Sequence, residues 1–259
     1  MKPSIRYDKS HNVIAKLSGS KNPDEYIIYT AHWDHLGIGK KDAEGDSIFN
    51  GALDNASGVA GLLEIAKAFK SLESKPRRSI IFLAVTAEEQ GLWGSAYYAQ
   101  NPIYPIEKTV ANINMDVINP FGRMKDIMVV GQGQSDLEDI LKTEAVVLNR
   151  DVVFDNEPQK GSYFRSDHFS FAKVGIPALY LKVGSDFEGQ GKEFGDQLKA
   201  NYTAKAYHQP SDEYESINFD GVVDDLKLLL QVGKRLAFSN TWPQWKEGSE
   251  FKAVREGSK

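Results

Sequence analysis

The chain has 259 residues, 41% hydrophobic and 26% charged, enough to bury one large core, so we expect a single globular domain over residues 1–259. The formal net charge of −5 gives no electrostatic reason to expect nucleic acid as a partner, and no stretch approaches the roughly 18 to 20 apolar residues that span a bilayer. Cysteine is absent, which excludes disulfides and leaves nitrogen and oxygen as the ligands for any metal.

The first half of the chain predicts a strand, a helix and a second strand. The leading residues 1–13 contain no apolar run followed by a small-residue cleavage site, so we expect no signal peptide in the sequence as given. Residues 26–30 form a short β-prone run, and residues 79–86 form a longer one that is apolar at nearly every position, as in a strand covered on both faces. Between them, apolar residues recur at helical spacing after a candidate cap at Asn55 or Ser57: Val59, Leu62, Leu63, Ala66 and Phe69.

The second half continues the alternation. Ser135 and Glu138 form a capping-box pattern ahead of an apolar repeat, residues 176–181 predict a buried strand, and residues 222–236 predict a leucine-rich helix. The glycine-rich residues 184–203 predict a loop or a small insertion near the site. The polar tail after Trp242 is expected on the surface. We expect an α/β fold with a mixed, twisted central sheet between helices, and with the chemistry on loops at strand ends.

Two motifs near the first strand carry candidate chemistry. His32 and Asp34 follow the strand at residues 26–30, where alternation would place both side chains on one side, so the imidazole can face a metal while the carboxylate orients it. Asp54 lies in a turn just before the first helix, where anions and metals are commonly organised. Each motif alone also fits an ordinary structural residue or a helix cap.

Three further acidic or histidine motifs follow in order. Glu88 and Glu89 come directly after the buried strand at residues 79–86, where two adjacent acids are costly to bury unless a cation or a proton neutralises them. Asp116 ends a second β-prone stretch and by itself could be a turn residue. His208 follows Tyr207, and Asp212 lies four residues beyond it, as in a ligand with a supporting carboxylate. The ordered set predicts a two-metal hydrolytic site.

The remaining histidines are interpreted as non-ligands. His35 lies three residues after His32, and on an extended segment the two side chains would point to opposite faces, which favours a structural role for His35. His168, in the Ser166–Asp167–His168 triplet, is assigned a structural or supporting role. His11 has no nearby acids and is interpreted as a surface residue.

Nearly the whole chain resembles the M28 zinc aminopeptidases, whose di-zinc peptidase domain also occurs in glutamate carboxypeptidase and the transferrin receptor. The matching segments in chain order are HNVIAKLSG, AHWDHLG, NGALDNASGV, RSIIFLAVTAEEQGLWGS, NMD, SDHFSF, GIPALYL and YHQPSDEYE. The resemblance implies two Zn²⁺ ions, with Co²⁺ or Mn²⁺ as substitutes.

The resemblance also implies a role for each motif residue. Asp54 would bridge the two metals, His32 and Asp116 would complete one site, and Glu89 and His208 would complete the other. Glu88 would be the general base for attack by a metal-bridging hydroxide, and Tyr207 would hydrogen-bond the oxyanion. Asp34 would orient His32, and Asp212 would support His208. Family members typically have a cis peptide after the bridging aspartate, here between Asp54 and Asn55.

The implied function is an exopeptidase that releases N-terminal residues from peptides with a free N-terminus. A carboxypeptidase or dipeptidase on the same scaffold stays open, and would need a basic pocket for which Arg123 and Arg165 are candidates. A cyclase-like or non-enzymatic relative is the third interpretation. Residues 119–125, 163–171 and 184–203 are the expected pocket walls, and Tyr163, Phe164 and Phe169 suggest an apolar pocket. Relatives are often secreted or periplasmic, which we expect here, with a cytoplasmic location and the oligomeric state left open.

Overall fold

The computed structural model describes residues 7–257. Residues 1–6, which belong to the leading segment examined for a signal peptide, lie outside the described part. The strands are β1 Val13–Leu17, β2 Asn22–His32, β3 Gly37–Ile38, β4 Ile48–Phe49, β5 Arg78–Val85, β6 Thr109–Asn114, β7 Asp126–Val129, β8 Asp151–Phe154 and β9 Ala178–Val183. The helices are α1 Ser57–Lys70, α2 Trp93–Gln100, α3 Leu137–Val147, α4 His168–Lys173, α5 Gly191–Lys205, α6 Phe219–Phe238 and α7 Phe251–Gly257.

Seven strands form one mixed sheet in the order β1-β5-β2-β6-β9-β7-β8, and β3 pairs with β4 in a separate hairpin. The four central strands β5, β2, β6 and β9 run parallel, whereas β1 is antiparallel to β5 and β7 is antiparallel to β9. The carboxyl ends of the central strands therefore meet at one edge, which is where ligand sites form in such sheets.

Helices cover both faces of the sheet, as the sequence predicted. On one face, Tyr29 of β2 packs in a core with Phe69 of α1, Leu141 of α3 and Val232 of α6. On the other face, Ile28 and Ile81 pack against Tyr98 of α2 and Phe171 of α4. Strand β5 is buried along almost its whole length, which explains its continuous apolar sequence.

Two sequence predictions differ from the structure. The segment at residues 184–203, predicted as a loop or insertion, contains most of helix α5. In this helix Phe194, Leu198 and Tyr202 recur at helical spacing and are half-buried, but the surrounding glycines and polar residues favoured a loop. The tail after Trp242, expected on the surface, instead buries Trp245 and Phe251 against Ala172 of α4. Among residues 7–257, no helix combines the length and apolar character that a membrane crossing needs.

Candidate metal centre and active site

The predicted ligands converge at the carboxyl edge of the sheet. His32 ends β2, Glu88 and Glu89 follow β5, and Asp116 follows β6. Since β2 lies between β5 and β6, these three strand ends are neighbours. Asp54 comes from the segment before α1, and His208 from the segment after α5. The structure thus brings together all five residues predicted as ligands.

Asp54 divides its two carboxylate oxygens between two groups of donors. Its Oδ1 lies 3.2 Å from Nε2 of His32, which is itself 3.5 Å from Oδ1 of Asp116. Its Oδ2 lies 3.3 Å from Nε2 of His208, which is also 3.3 Å from Oε2 of Glu89. A carboxylate between two imidazole–carboxylate pairs has the arrangement of a bridging ligand.

The donor set fits metal ions. Nε2 of His32 is buried and makes no well-aligned hydrogen bond with the described residues, although carboxylate oxygens surround it. Three carboxylates and two imidazoles are ligands that Zn²⁺ accepts. The assignment of these five residues as metal ligands remains a prediction, because the structure also brings other sets of candidate ligands together. Ligand atoms of His32, Glu88 and Asp116 lie within 4.8 Å of one another, as do those of His35, Asp54 and Glu89. The 3.3 Å contacts of His208 favour it over His35 as a direct ligand.

Asp212 binds the backbone of the segment that carries Asp54. The carboxylate of Asp212 accepts the backbone N–H of Leu53 at 3.1 Å and that of Asp54 at 3.0 Å. The peptide between Asp54 and Asn55 is cis, as the resemblance implied. Asp212 was expected to support His208, but its hydrogen bonds go to the backbone before the bridging residue instead. It is fully buried, so it fixes the Asp54 segment rather than the imidazole.

Asp34 contacts more than the imidazole that it was predicted to orient. Nδ1 of His32 is 3.0 Å from the backbone oxygen of Asp34, whereas the carboxylate of Asp34 lies 3.7 Å from that nitrogen. The carboxylate accepts the backbone N–H of Glu88 at 3.0 Å and of Glu89 at 3.2 Å. The reason is that β2 ends at His32, so strand alternation no longer governs Asp34. Asp34 therefore positions the Glu88–Glu89 segment, and its main chain orients His32.

His35, expected to face away, lies in the site. Its Nδ1 is 2.7 Å from Oε1 of Glu89, and its ring meets that of His208 edge-on with centroids 5.7 Å apart. The expectation failed because it assumed an extended chain beyond His32. Gly51 packs so closely on this ring that a Cβ there would lie 2.6 Å from it, and the residue has a φ of +60°. Glycine at this position therefore leaves room for His35.

A chain of buried polar residues holds Asp116. Oγ of Ser166 donates to Oδ2 of Asp116 at 2.5 Å and accepts from Nδ2 of Asn114 at 2.7 Å. Oγ1 of Thr30 donates to Oδ1 of the same asparagine at 2.7 Å. Sequence reasoning missed Ser166, whose only signal was its place in the Ser166–Asp167–His168 triplet.

The electrostatics of the centre suit a proton-transfer site. Burial raises the pKa of Glu88, and the charge of Asp116 raises it further, to about 9. Burial lowers the pKa of His32, but the close carboxylates of Asp116 and Asp54 outweigh burial and raise that pKa to about 12. Burial alone would raise the pKa of Asp54, yet the facing imidazoles of His208 and His32 hold it below its ordinary value. Cations at this position would take over the role that the imidazolium charges play here.

Tyr207 lies at the mouth of the site, and its side chain is 42% exposed. Its ring stacks on that of His208 with centroids 3.9 Å apart. Burial raises the pKa of Tyr207, and the charge of Asp54 raises it further, so the phenol keeps its proton. The hydroxyl can thus donate a hydrogen bond to a group at the centre.

Other predicted features lie elsewhere. The ring of His168 is fully buried between those of Tyr163 and Tyr180, at centroid distances of 4.8 and 4.7 Å, which agrees with a structural role. Arg123 faces Asp220 and Asp224 at 3.9 and 3.7 Å, and so already has anionic partners. Tyr163 and Phe169, expected to line an apolar pocket, pack against the tail cluster of Trp245 and Phe251. A recess of about 180 Å³ adjoins the site and includes Trp33, His35, Asn50, Asn55 and Val59 in its walls.

Imidazoles and carboxylates that face one another beside a half-buried acid, at the edge of an α/β sheet, are typical of metal-dependent hydrolases. Residues 12–232 match the family model described as Peptidase family M28, and the chain belongs to that family.

Known proteins agree with this assignment over parts of their length. A probable zinc metalloprotease of Pyrenophora teres f. teres is 40% identical over 106 residues, which are 41% of this chain and 22% of that protein. The structure of BSAP, a zinc aminopeptidase from Bacillus subtilis, is 23% identical with a TM-score of 0.64, covering 93% of this chain and 52% of that one. The glutaminyl cyclase of Porphyromonas gingivalis is 20% identical with a TM-score of 0.62, covering 87% of this chain and 77% of that one. At these identities, the two structures show a shared fold.

Proposed function

We propose that the chain is a di-zinc aminopeptidase that removes N-terminal residues from peptides with a free N-terminus. The observation that carries the proposal is the placement of Asp54, whose two oxygens face separate imidazole–carboxylate pairs at 3.2 and 3.3 Å. In this proposal, His32 and Asp116 hold one ion, Glu89 and His208 hold the other, and Asp54 bridges them. The family assignment and the zinc-dependent relatives support zinc as the metal. Co²⁺ or Mn²⁺ could substitute, because the donors are all nitrogen and oxygen.

Two zinc ions held there would polarise the substrate carbonyl and lower the pKa of water, and their charge would exceed that of the three ligating carboxylates by one. Glu88 is the proposed general base, which accepts a proton from the attacking water and returns it to the leaving amine. Its elevated pKa of about 9 arises from burial and the charge of Asp116. Neighbouring cations favour the ionised form and so bring this pKa down towards the range useful for a base.

The remaining residues supply positioning and charge stabilisation. Asp34 fixes the main chain of Glu88 through its 3.0 Å hydrogen bond, so the base has a defined place relative to the ligands. Tyr207 keeps its proton and donates a hydrogen bond to the oxyanion that develops on the substrate carbonyl.

The test combines metal analysis with a substrate panel. Elemental analysis should find two zinc ions per chain, and free-amine aminoacyl p-nitroanilides should be hydrolysed while their N-blocked counterparts are not. Treatment with a chelator should abolish the hydrolysis, and added zinc should restore it. Peptides beginning with glutamine belong in the panel, since their cyclisation without peptide cleavage would instead support a cyclase. One ion or none, without cleavage of free-amine substrates, would contradict the proposal.

A further inference from the structure

The register of β9 brings a lysine to the metal side of the sheet. Asn114 of β6 pairs with Tyr180 of β9 in parallel, and both chains continue towards the same edge. Asp116 lies two residues beyond Asn114, and Lys182 lies two residues beyond Tyr180. Lys182 therefore lies near the carboxyl end of β9, at the edge of the sheet where Asp116 follows β6.

The side chains of Lys182 and Asp116 also share a face of the sheet. Leu179 and Leu181 face the core formed with α1, α3 and α6, so alternation directs Tyr180 and Lys182 to the opposite face. Tyr180 packs on His168 of α4 there. Asp116 accepts a hydrogen bond from Ser166, which lies two residues before the start of the same helix, so its carboxylate is on that face too.

The ammonium group of Lys182 has no carboxylate within 4.0 Å among the described residues. It donates to Oγ of Ser162 at 3.2 Å and lies 6.0 Å from the ring centroid of Tyr180. Burial lowers the pKa of Lys182, whereas the nearby charges of Asp116 and Asp155 raise it. The buried Arg78 and Arg150, by contrast, have carboxylates at 2.6 and 2.7 Å. Lys182 is thus a half-buried cation whose direct hydrogen-bond partner among the described residues, Ser162, is neutral.

We propose that Lys182 binds a carboxylate of the substrate, so that the enzyme favours substrates that carry this carboxylate. The inference rests on the proposed aminopeptidase function. Once Asp116 holds a cation, its charge no longer balances Lys182, and a substrate carboxylate restores that balance. The carboxylate comes either from an aspartate or glutamate side chain at the N-terminus or from the free C-terminus of a very short peptide.

The experiment has two arms on the zinc-loaded full chain. The first compares kcat/KM for glutamyl and glutaminyl p-nitroanilide, which differ only in the side-chain charge. The second compares Leu-Gly with Leu-Gly amide, which differ only at the C-terminus. The variants are Lys182→Met, which keeps the length and removes the charge, and Lys182→Arg, which keeps the charge. Lys173→Met is the matched control, because Lys173 is an exposed lysine on α4.

We expect the native protein to prefer the acidic member in one arm, and Lys182→Met to reduce that preference about tenfold. Lys182→Arg should retain most of the preference, and Lys173→Met should leave it intact. If Lys182→Met and Lys173→Met give the same ratios in both arms, the inference is overturned. The arm that responds identifies which carboxylate is bound.

A binding measurement separates this inference from the proposed function. Calorimetry of the zinc-loaded protein with the α-hydroxamates of glutamate and glutamine needs no turnover. Tighter binding of the glutamate compound that is lost in Lys182→Met supports recognition of an acidic side chain. Failure of the aminopeptidase proposal would appear differently, as the absence of free-amine hydrolysis in the native protein and in every variant. Equal affinity of both hydroxamates for native protein, with both substrate ratios insensitive to Lys182, would overturn the inference alone.

Discussion

Nδ1 of His35 lies 2.7 Å from Oε1 of Glu89, while the other oxygen of the same carboxylate lies 3.3 Å from Nε2 of His208. One oxygen of Glu89 is thus occupied by a hydrogen-bond partner, and the other is directed towards the centre. A partner of this kind fixes the orientation of a ligating carboxylate, and its loss typically lowers metal affinity by about 10- to 100-fold. His35 is therefore a positioning residue for one of the two proposed zinc sites.

We predict that His35→Phe weakens the site formed by Asp54, Glu89 and His208 by about tenfold or more, because Glu89 loses its partner. The site of His32 and Asp116 should change little. Competition with a zinc-buffering chelator would show one affinity falling while the other stays. His35→Gln, which can still donate a hydrogen bond, should recover part of the loss, and His11→Gln at an exposed position is the control. Equal weakening of both zinc affinities would show that His35 has only a structural role.

Asp34→Asn should reduce kcat/KM by about 10- to 100-fold with little change in zinc content. The carboxylate accepts two backbone N–H groups, from Glu88 and Glu89, and an asparagine oxygen in the same place can accept only one of them well. A small displacement of the base is sufficient for such a loss. Asp42→Asn is the matched control, since Asp42 also accepts two backbone N–H groups, but in an exposed turn. Unchanged kinetics in Asp34→Asn would remove the positioning role.

The proposed base and bridge should respond differently to substitution. Glu88→Gln should keep its zinc and lose most of its turnover, because the change removes a proton acceptor without removing a ligand. Asp54→Ala should lose zinc as well, since both proposed metal sites share this residue. Elemental analysis and hydrolysis of a free-amine p-nitroanilide on the same samples distinguish the two effects. Loss of one zinc ion in Glu88→Gln would assign Glu88 as a ligand, in line with its position near His32 and Asp116.

His168 should make the protein less stable in mild acid. Burial, together with the charge of Lys182, lowers the pKa of His168 to about 3, against about 6.5 when unfolded. Below about pH 6.5, the unfolded chain therefore binds a proton at His168, whereas the folded chain does not bind it until the pH falls to about 3. From pH 7.5 to pH 5.0, this coupling should remove about 2 kcal/mol from the free energy of unfolding.

His168→Phe lacks this coupling, so its stability relative to the native protein should rise by about 2 kcal/mol over the same pH interval. Urea unfolding of the chelator-treated proteins at both pH values measures the difference. The neighbouring Asp167, whose pKa burial raises to about 7, has the opposite dependence, but it is present in both proteins and cancels. His11→Phe, at an exposed position, is the control substitution. A constant gap between His168→Phe and the native protein would mean that His168 is protonated equally in both states.

Much of the fold could be predicted because the hydrophobic pattern is locally decisive. The unbroken apolar run of β5 reflects burial on both faces, and the helical repeat of α1 reflects packing on a single face. Helix α5 was missed because its apolar repeat is short and lies among glycines and polar residues, and only Gly195 of the helix is fully buried. The buried tail was missed for a related reason. Only the cluster around Ala172 makes Trp245 and Phe251 interior residues.

The sequence by itself determined the residue types of the centre and their order along the chain, because acids and histidines directly after apolar strands predict an edge site whatever the strand order. Only the tertiary structure decided which groups meet. The order β5-β2-β6 places Glu89, His32 and Asp116 side by side, and the end of β2 at His32 turns Asp34 towards Glu88 and His35 towards Glu89. The pairing of β6 with β9 likewise brings the end of β9, which carries Lys182, to the edge where Asp116 follows β6. Such contacts depend on strand register and on the point where a strand ends, and neither is encoded in the spacing of the motifs.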